Sequence, residues 1–402
     1  MSDAARTRRT LYATATLRAI ATGLTGVALG VYLARLGIGE RASGAVLSAG
    51  LAGAALAAVA ATFRADRLGR RHFLLAIGLL AALGTAAVAL AHAPWLLAGA
   101  AFVGMVNGMG RDRGAALLLE QAALPATATD AERTRVLAVY TMLQDLGHAV
   151  GSLLAGVPAL VLGAPAADPA PPRIALLGCA GLLLVGALLY ARVGAAVEAG
   201  ALAVPVRPSP ETRRILVRIS ALFGLDGLGG GFLTTAMLSY FFFERFGAGE
   251  AVIGALFFGA RVMNAGSHLA AAWLARRIGL VNTMVFTHLP SSLLLVTVAF
   301  APSFPVAVVL FLLREGLVEM DVPTRSSYVL AVVAPHERTL ASGVTTLVRL
   351  GAWAIAPVIG GALMQGVSLT VPLVVGAAMK IAYDVLLWRA FRGVRPPEER
   401  AA

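Results

Sequence analysis

The sequence predicts an all-α membrane protein with twelve transmembrane helices arranged as two parallel six-helix repeats. Of its 402 residues, 58% are hydrophobic and only 13% are charged, whereas a soluble domain carries about 25% charged residues. The apolar residues form successive runs, several of them close to the roughly 20 residues that a helix needs to cross a bilayer. Short motifs also recur at a fixed distance in the two halves of the chain, which indicates an internal repeat.

Twelve apolar spans follow one another with short connections. The basic N-terminal segment leads directly into the first apolar run, which we therefore interpret as a span and not as a cleaved signal peptide. The longest connection, 192–214, is rich in proline and charge and predicts a cytoplasmic linker between an N-terminal bundle (1–191) and a C-terminal bundle (215–402). The spans are predicted near 13–34, 43–63, 73–91, 95–120, 134–160, 174–191, 216–243, 251–274, 281–300, 306–331, 340–363 and 371–390.

Arginine is distributed unequally between the two sets of loops. One set, which includes the N- and C-terminal segments, carries most of the arginines, and the other carries only Arg35, Arg41, Arg173 and Arg245. Because basic residues concentrate in cytoplasmic loops, both termini are predicted to lie in the cytoplasm, with the protein in the inner (plasma) membrane. The same rule explains the net charge of +12, so no nucleic-acid partner is predicted.

Three pairs of motifs are separated by one and the same offset in residue number. RLGIGE begins at Arg35 and RFGAGE at Arg245, and ADRLG begins at Ala65 and ARRIG at Ala275. The third pair is a proline after the fourth span and another after the tenth, at Pro125 and Pro335. Coincident offsets predict two parallel repeats related by an axis along the membrane normal.

The loop between the second and third spans, ADRLGRR at 65–71, resembles the signature loop of the major facilitator superfamily. Thr62 and Arg64 occupy the places of the glycine and leucine that usually precede that core. Segments 132–156 and 337–361 resemble the fifth and eleventh spans of the same superfamily. The resemblance covers nearly the whole chain and implies the fold and the general activity of a secondary transporter.

The resemblance also implies a gating role for the signature loop. Asp66 is expected to face the N-terminal end of a helix in the other half, and Arg70 is expected to pair with nearby acids. Such contacts would latch the cytoplasmic side while the protein is open outward. The second copy of the loop lacks the aspartate, so the first copy is expected to carry this role. The predicted gating residues are Asp66, Arg67, Gly69, Arg70 and Arg71.

Charged side chains recur inside the predicted spans. By insertion scales each costs about 2.5–3.5 kcal/mol at the bilayer centre unless it has a partner or a wet cavity. In the superfamily's fold, spans three, six, nine and twelve face lipid, and here the first three of these are predicted to carry no charge. In span twelve, Lys380 and Asp384 are four residues apart and are predicted to neutralise each other. The candidates for binding substrate or protons are Arg111, Asp112, Arg113, Asp226, Arg261, Glu315, Glu319, Asp321 and Arg325.

The tenth span contains five ionisable residues in the stretch FLLREGLVEMDVPTRSSYVL, 311–330. At about 100° per residue, Arg314 shares a stripe with Asp321 and Arg325, and the last two predict an i,i+4 ion pair. That set is predicted either to hold helices together or to contact substrate. Glu315 and Glu319 share a second stripe. A like-charged neighbour in a low dielectric favours the protonated form of a carboxylate, so Glu319 is a candidate proton carrier.

Spans four and seven supply the other candidates. Asp112 lies in GRDRG and aligns within one residue with Asp321 of the other repeat. One of its neighbours, Arg111 or Arg113, is predicted to pair with it, which leaves the other to attract an anionic group.

In span seven, glycines follow Asp226 in LDGLGGG. They predict either a weakened helix beside a binding site or close helix packing. Arg261 is predicted to be the partner of Asp226 or a substrate anchor.

No enzyme signature is present, since HExxH, Walker and GxSxG motifs are absent and GMGRDRG is placed inside a helix. The sequence predicts a monomeric, non-enzymatic transporter without cofactor or metal. Its predicted partners are a small-molecule substrate, protons and the lipid bilayer, and it is expected to export by rocking alternating access. The alternatives are a uniporter or importer of an organic anion bound by Arg111, Arg113 or Arg261, and a transporter-like sensor that moves nothing.

Overall fold

The structure is a computed structural model that describes residues 3–129, 132–163, 165, 167–194, 198, 209–321, 325, 328, 333 and 337–391. Within these residues the chain is α-helical, apart from turns, connections and 3-10 residues, among them the turn at Leu124–Thr127. Most of the predicted linker, Pro335 and the C-terminal arginines lie outside the described residues. The helices are α1 Asp3–Arg35, α2 Glu40–Leu68, α3 Arg70–Leu90, α4 Pro94–Val103, α5 Ala115–Ala123, α6 Arg133–Leu154, α7 Val157–Leu162, α8 Ala170–Tyr190, α9 Pro210–Gly231, α10 Thr235–Phe246, α11 Glu250–Ile278, α12 Leu280–Ala299, α13 Phe304–Val318, α14 Arg338–Gly366 and α15 Val371–Phe391.

Nine helical segments of the described chain are long and apolar enough to cross a membrane. They coincide with nine of the twelve predicted spans. The other three, the fourth, eighth and tenth, fall on α4 with α5, on α11 and on α13. The protein is therefore a multi-pass, all-α integral membrane protein.

The internal repeat is present in the backbone. The first and last residues of α11 are separated from the first and last residues of α2 by the same number of positions as the motif pairs. The first residue of α12 is separated from the first residue of α3 by that number as well. The turns before these helices repeat as well: φ is +68° at Gly37 and +65° at Gly247, and it is +85° at Gly69 and +84° at Gly279. Positive φ is unfavourable for residues with a Cβ, so glycine is required at these four turns. The motif pairs in the sequence thus mark equivalent turns of two repeats.

The chain forms two compact units. The first comprises Met1–Ala203, Thr234–Phe258 and Pro357–Gln365, and the second comprises Val204–Leu233, Gly259–Ala356 and Gly366–Ala402. The first unit therefore holds α1 to α8 together with α10, the start of α11 and a short C-terminal part of α14. Helices α9, α12, α13 and α15 belong to the second unit.

Glycines bring the helices of the first unit into backbone contact. A Cβ on Gly151 of α6 would overlap the carbonyl of Ile20 on α1, and a Cβ on Gly30 of α1 would overlap the carbonyl of Ala236 on α10. In a membrane, small residues allow this close approach, and packing replaces the hydrophobic effect as the force that associates helices. Helix α1 is buried over most of its length as a result.

We expect Gly151→Ala to lower the melting temperature of the purified protein, because the new Cβ must push α1 and α6 apart. Such overpacking costs about 1–3 kcal/mol. The matched control is Gly181→Ala on α8, where a Cβ meets nothing within 4 Å. The control should be neutral or stabilising, since alanine favours a helix over glycine by about 1 kcal/mol. Equal melting temperatures for the two variants would contradict this packing.

Candidate functional site

The fourth predicted span is broken. The prediction of one helix over 95–120 is wrong: α4 ends at Val103, α5 begins at Ala115, and residues 104–114 are not helical. Four glycines fall within this segment, and φ is +70° at Gly110 and +50° at Met105. Glycine disfavours a helix interior, and the Asn107 side chain stabilises the turn by accepting from the Met109 N–H and donating to the Arg111 carbonyl, both at 2.8 Å. GMGRDRG is thus an unwound segment, not part of a helix.

The unwound segment finds its backbone partners in the first unit, as a membrane interior requires. The Ala236 N–H donates to the carbonyl of Gly108 at 2.9 Å, and the Thr235 hydroxyl donates to that of Met109 at 2.9 Å. These donors stand at the start of α10, directly after the break that follows Gly231 at the end of α9. The seventh span does break at the end of its glycine run, but Gly227 and Gly231 are helical and a Cβ on either would crowd α14, so both predicted roles of the glycines, a weakened helix and close packing, have support.

Arg18 organises a group of buried polar side chains, which we name the N-terminal charge cluster. Its guanidinium binds Asp112 through Nε at 2.5 Å and Glu120 through Nη2 at 2.6 Å. Both carboxylates are almost fully buried, with side-chain exposures of 5% for Asp112 and 0% for Glu120. The remaining members are Thr14, Tyr140 and Tyr190, which donate to Glu120 at 2.8, 2.6 and 2.6 Å.

This cluster corrects one prediction. Neither arginine beside Asp112 is its ion-pair partner among the described residues; the partner is Arg18, 94 residues earlier. The prediction failed because the segment is unwound, so helical spacing does not set the direction of its side chains. Further contacts hold Asp112 in place: its carboxylate accepts from the Gly114 N–H at 3.1 Å, and its own N–H donates to Nε2 of His148 at 2.9 Å.

The second unit holds a larger group, the C-terminal charge cluster, around Asp226. This buried carboxylate binds Lys380 at 2.8 Å, Arg325 at 3.1 Å and Arg349 at 3.8 Å. Arg261 was the predicted partner of Asp226 or else a separate substrate anchor beside it. The first alternative does not hold: within the described residues, three other cations surround Asp226, and they come from distant parts of the chain.

Arg325 connects two predicted site residues. It binds Asp321 at 2.8 Å, which confirms the i,i+4 pair, and it binds Asp226 on α9 at the same time. Arg314 was predicted to share their stripe, but it pairs instead with Glu315, which also accepts from Asn264 at 3.0 Å. Helix α13 ends at Val318, so Glu319 lies at its C-terminal cap, half-buried.

The predicted pair within span twelve is not formed. Lys380 binds Asp226, while Asp384 pairs with Nδ1 of His288 at 3.0 Å. His288 lies on α12, in the ninth predicted span that was expected to carry no charged group, and its Nε2 is 3.4 Å from the Lys380 ammonium. Four-residue spacing allowed the pair, but both side chains have better partners on other helices.

Part of the gating loop is held together locally. Nε of Arg70 donates to Asp66 at 2.6 Å, so the described partner of Asp66 is an arginine of its own loop. Glu198, beyond the sixth span, accepts the backbone N–H groups of Arg70 at 2.8 Å and Arg71 at 3.0 Å. Gly69 makes the turn, and Arg67 is exposed. The acid expected near Arg70 is thus present, within the first unit.

Sequence reasoning missed an ion pair at the ends of α1 and α11. Arg35 binds Glu250 through both terminal nitrogens, at 2.5 and 3.0 Å, and donates to the Asp168 carbonyl at 2.8 Å. The side chains are 3% and 0% exposed. Glu120 and His288 were also missed. Each is an ionisable residue within a largely apolar run, which is the signal that would have found it.

The internal repeat and the apolar spans define a multi-pass membrane protein, and the buried ion pairs place charged side chains within those spans. The family model of the Major Facilitator Superfamily matches residues 11–316, and the chain belongs to this superfamily of transporters. It is 23% identical over 426 residues to YJR124C, an uncharacterized membrane protein of Saccharomyces cerevisiae, with coverage of 97% of this chain and 95% of the yeast protein.

Three solved structures illustrate the likeness of fold. A variant of the nucleoside transporter NupG has a TM-score of 0.76 at 15% identity and covers 96% of this chain and 99% of its own. A POT family transporter in complex with 5-aminolevulinic acid has a TM-score of 0.74 at 13% identity, with 96% of each chain covered. A D-xylose–proton symporter has a TM-score of 0.67 at 15% identity, with 94% of this chain and 97% of its own covered.

Proposed function

We propose that the protein is a proton-coupled secondary transporter that exports a small organic molecule from the cell by rocker-switch alternating access. It acts as a monomer in the inner (plasma) membrane, with both termini in the cytoplasm. The observation that carries the proposal is the N-terminal charge cluster, in which one guanidinium faces two buried carboxylates. Buried carboxylates inside the membrane are the groups that form proton relays in pumps and transporters.

Asp112 is the residue that we assign to the proton. Glu120 accepts hydrogen bonds from four side chains, Thr14, Arg18, Tyr140 and Tyr190. Asp112 has fewer donors: Nε of Arg18, the Gly114 N–H and a long bond of 3.5 Å from Gln144. It also lines a cavity, so a proton can reach it. Protonation of Asp112 would weaken its bond to Arg18, which Glu120 still holds, and would loosen α1 from the unwound segment.

The C-terminal charge cluster has a different role in this proposal. Its cations Lys380, Arg325 and Arg349 are matched in number by the carboxylates Asp226, Asp321 and Asp384. We assign it to holding the helices of the second unit, with Asp226, Asp321 and Arg325 as structural contacts. The remaining candidates for substrate or proton contact are Arg111, Arg113, Arg261, Glu315 and Glu319.

Accumulation of a broad compound panel in an efflux-deficient host tests this function. Wild type should lower the accumulation of at least one compound, and a protonophore should abolish the effect. Asp112→Asn should reduce proton-driven export at least tenfold, since the amide cannot cycle a proton. Glu319→Gln tests the carrier suggested by sequence in the same assay. Asp145→Asn is the control, because it removes a carboxylate of α6 outside the cluster.

Each outcome decides between the candidate functions. Export that ignores both the protonophore and Asp112→Asn would contradict proton coupling and favour a uniporter. Loss of export with Glu319→Gln but not with Asp112→Asn would move the carrier to the end of α13. Increased accumulation would indicate an importer. No change for any compound, at normal expression, would favour a sensor.

A further inference from the structure

Helices α3 and α4 of the first unit form an open groove near the short connection between them, residues 91–93. Its walls are apolar and include Ala87 and Leu90 near the end of α3 and Leu96 and Gly99 near the start of α4. The groove has a volume of about 540 Å³, which is within the range of ligand sites. A Cβ placed on Gly99 meets nothing within 4 Å, so a larger side chain there would fill the groove.

The backbone on both sides of the groove is held in place. At Gly84 and Gly104 the two helices are in direct contact, because a Cβ on Gly84 would overlap the Cα of Gly104. The end of α3 is tied to α1 by Tyr32, whose hydroxyl donates to the Ala89 carbonyl at 2.8 Å. The groove lies between this contact and the connection, so we expect it to persist in the membrane.

A cation lies at the end of the groove nearest the connection. Ala91 lines the groove, and the next residue, His92, is exposed. Nε2 of His92 is 2.9 Å from Nη2 of Arg173, near the start of α8. Within the described part of the chain no carboxylate forms an ion pair with Arg173, so its guanidinium is available to an anionic group.

Trp95 indicates the depth of this end of the groove. Its side chain lines the groove and is 73% exposed, and it lies at the start of α4. Tryptophan is enriched where the hydrocarbon of a bilayer meets water, because its ring is apolar and its N–H is polar. The guanidinium of Arg173 is therefore expected at the level of the lipid headgroups, with the groove extending from there into the hydrocarbon.

We propose that this groove binds an anionic phospholipid. One acyl chain lies along the apolar wall between α3 and α4, and the phosphate binds Arg173 beside His92. A headgroup with a net negative charge, such as phosphatidylglycerol, is favoured over phosphatidylcholine, whose own ammonium offsets the attraction to arginine. The inference goes beyond the proposed function and does not depend on it.

The site has a place in the fold where a lipid can affect the rest of the first unit. Ala100 lines the groove, one helical turn before Gly104, the first residue of the unwound segment. A lipid bound between α3 and α4 would therefore brace the helix that leads into this segment. Because a ligand that binds only the folded state stabilises it, phosphatidylglycerol should also raise the melting temperature.

Quenching of tryptophan fluorescence by brominated lipids tests the proposal, because bromine quenches only at short range. The purified protein is placed in phosphatidylcholine vesicles that contain a small fraction of brominated phosphatidylglycerol or the same fraction of brominated phosphatidylcholine. The chain has four tryptophans, so the difference between wild type and Trp95→Phe isolates the signal of Trp95. We expect the brominated phosphatidylglycerol to quench Trp95 more strongly at equal mole fraction.

Two kinds of variant locate the site. Arg173→Gln should lower the preference for phosphatidylglycerol about fivefold, the effect of one arginine near anionic headgroups. Its control, Arg245→Gln, removes an equal charge from the end of α10. Gly99→Leu should abolish the preference by filling the groove. Its control is Gly178→Leu on the exposed face of α8, where a Cβ also meets nothing within 4 Å.

A second filling variant, Ala87→Leu, enters the groove from α3 and guards against misfolding of the first, with gel filtration as the check. Equal quenching of Trp95 by the two brominated lipids would indicate an ordinary lipid-facing surface and overturn the proposal. A preference that survives Arg173→Gln, or that survives both filling variants, would overturn it as well. An equal loss with Arg245→Gln would attribute the preference to the overall charge of the protein and not to this site.

Discussion

Replacement of Asp226 by asparagine is expected to lower the free energy of unfolding by about 3–5 kcal/mol, the cost of breaking a buried ion pair by removing one partner. The carboxylate lies within 4 Å of Lys380, Arg325 and Arg349. Without it, three neighbouring cations repel one another, and among the described residues Arg325 alone of the three keeps a carboxylate partner, Asp321. Unfolding of the purified protein by heat or denaturant in detergent measures the effect.

A double variant separates charge from packing. Asp226→Asn combined with Lys380→Gln removes one charge of each sign, so it should recover a large part of the lost stability. The two residues are in contact, so their effects should not be additive. Asp145→Asn serves as the control, because substitutions away from buried networks change stability by less than about 0.5 kcal/mol. A loss below about 1 kcal/mol for Asp226→Asn, well under the cost of a broken buried pair, would show that the C-terminal charge cluster does not hold the second unit together.

Glu250→Gln is expected to open the first unit between α1 and α10. Its carboxylate is bound by Arg35, and both side chains are buried, so the variant leaves a guanidinium without its partner at a cost of about 3–5 kcal/mol. In the alternating access that we propose, we expect α1 to separate from α10 when the site opens to the outside. A difference of about 1.4 kcal/mol changes an equilibrium tenfold, so the open population should rise by at least tenfold.

A cysteine reporter measures this opening. Ser239 of α10 is 0% exposed and lies 3.5 Å from the Gly26 carbonyl of α1, so Ser239→Cys is protected until the helices part. The one native cysteine, Cys179, is buried and is removed as Cys179→Ala. An impermeant thiol reagent should label the reporter at least tenfold faster with Glu250→Gln.

Two further variants control this experiment. Glu244→Gln removes an exposed acid from the end of α10 and should leave labelling as in the parent. The exchange Arg35→Glu with Glu250→Arg should restore slow labelling, since it re-forms the pair in reverse. Identical labelling of the Glu250→Gln and Glu244→Gln backgrounds would contradict a latch formed by Arg35 and Glu250.

Local features of the chain were predictable from sequence, and long-range partners were not. The turns at Gly37 and Gly247 and the pair of Asp321 with Arg325 follow from neighbouring residues, so motif spacing was sufficient. The partners of Asp112 and Asp226 lie 94 and 154 residues away. Helical periodicity gives the face of a helix but not the helix opposite it, which is why Asp112 and Lys380 were paired with nearby residues instead.

The unwound segment represents an intermediate case. Its signal was present, since GMVNGMGRDRG combines four glycines with an asparagine, and glycine costs about 1 kcal/mol per residue in a helix interior. The apolar residues on both sides favoured one long span. The segment is nevertheless unwound because α10 supplies hydrogen-bond donors to the carbonyls of Gly108 and Met109. These donors reach the carbonyls only in the folded protein, so the sequence did not reveal them.

The four left-handed glycines before α2, α3, α11 and α12 bear on the history of the chain. Their matched positions in the two halves indicate that an ancestral gene for six helices was duplicated and fused. Asp66 of the gating loop corresponds to Arg276 in the second copy, and the two charge clusters are built from different residues at different places in their repeats. The glycine turns are thus the older feature of the two halves, and the ionisable groups that differ between the halves were acquired later. Substitutions that change what is carried should therefore accumulate in one half without disturbing the turns that both halves share.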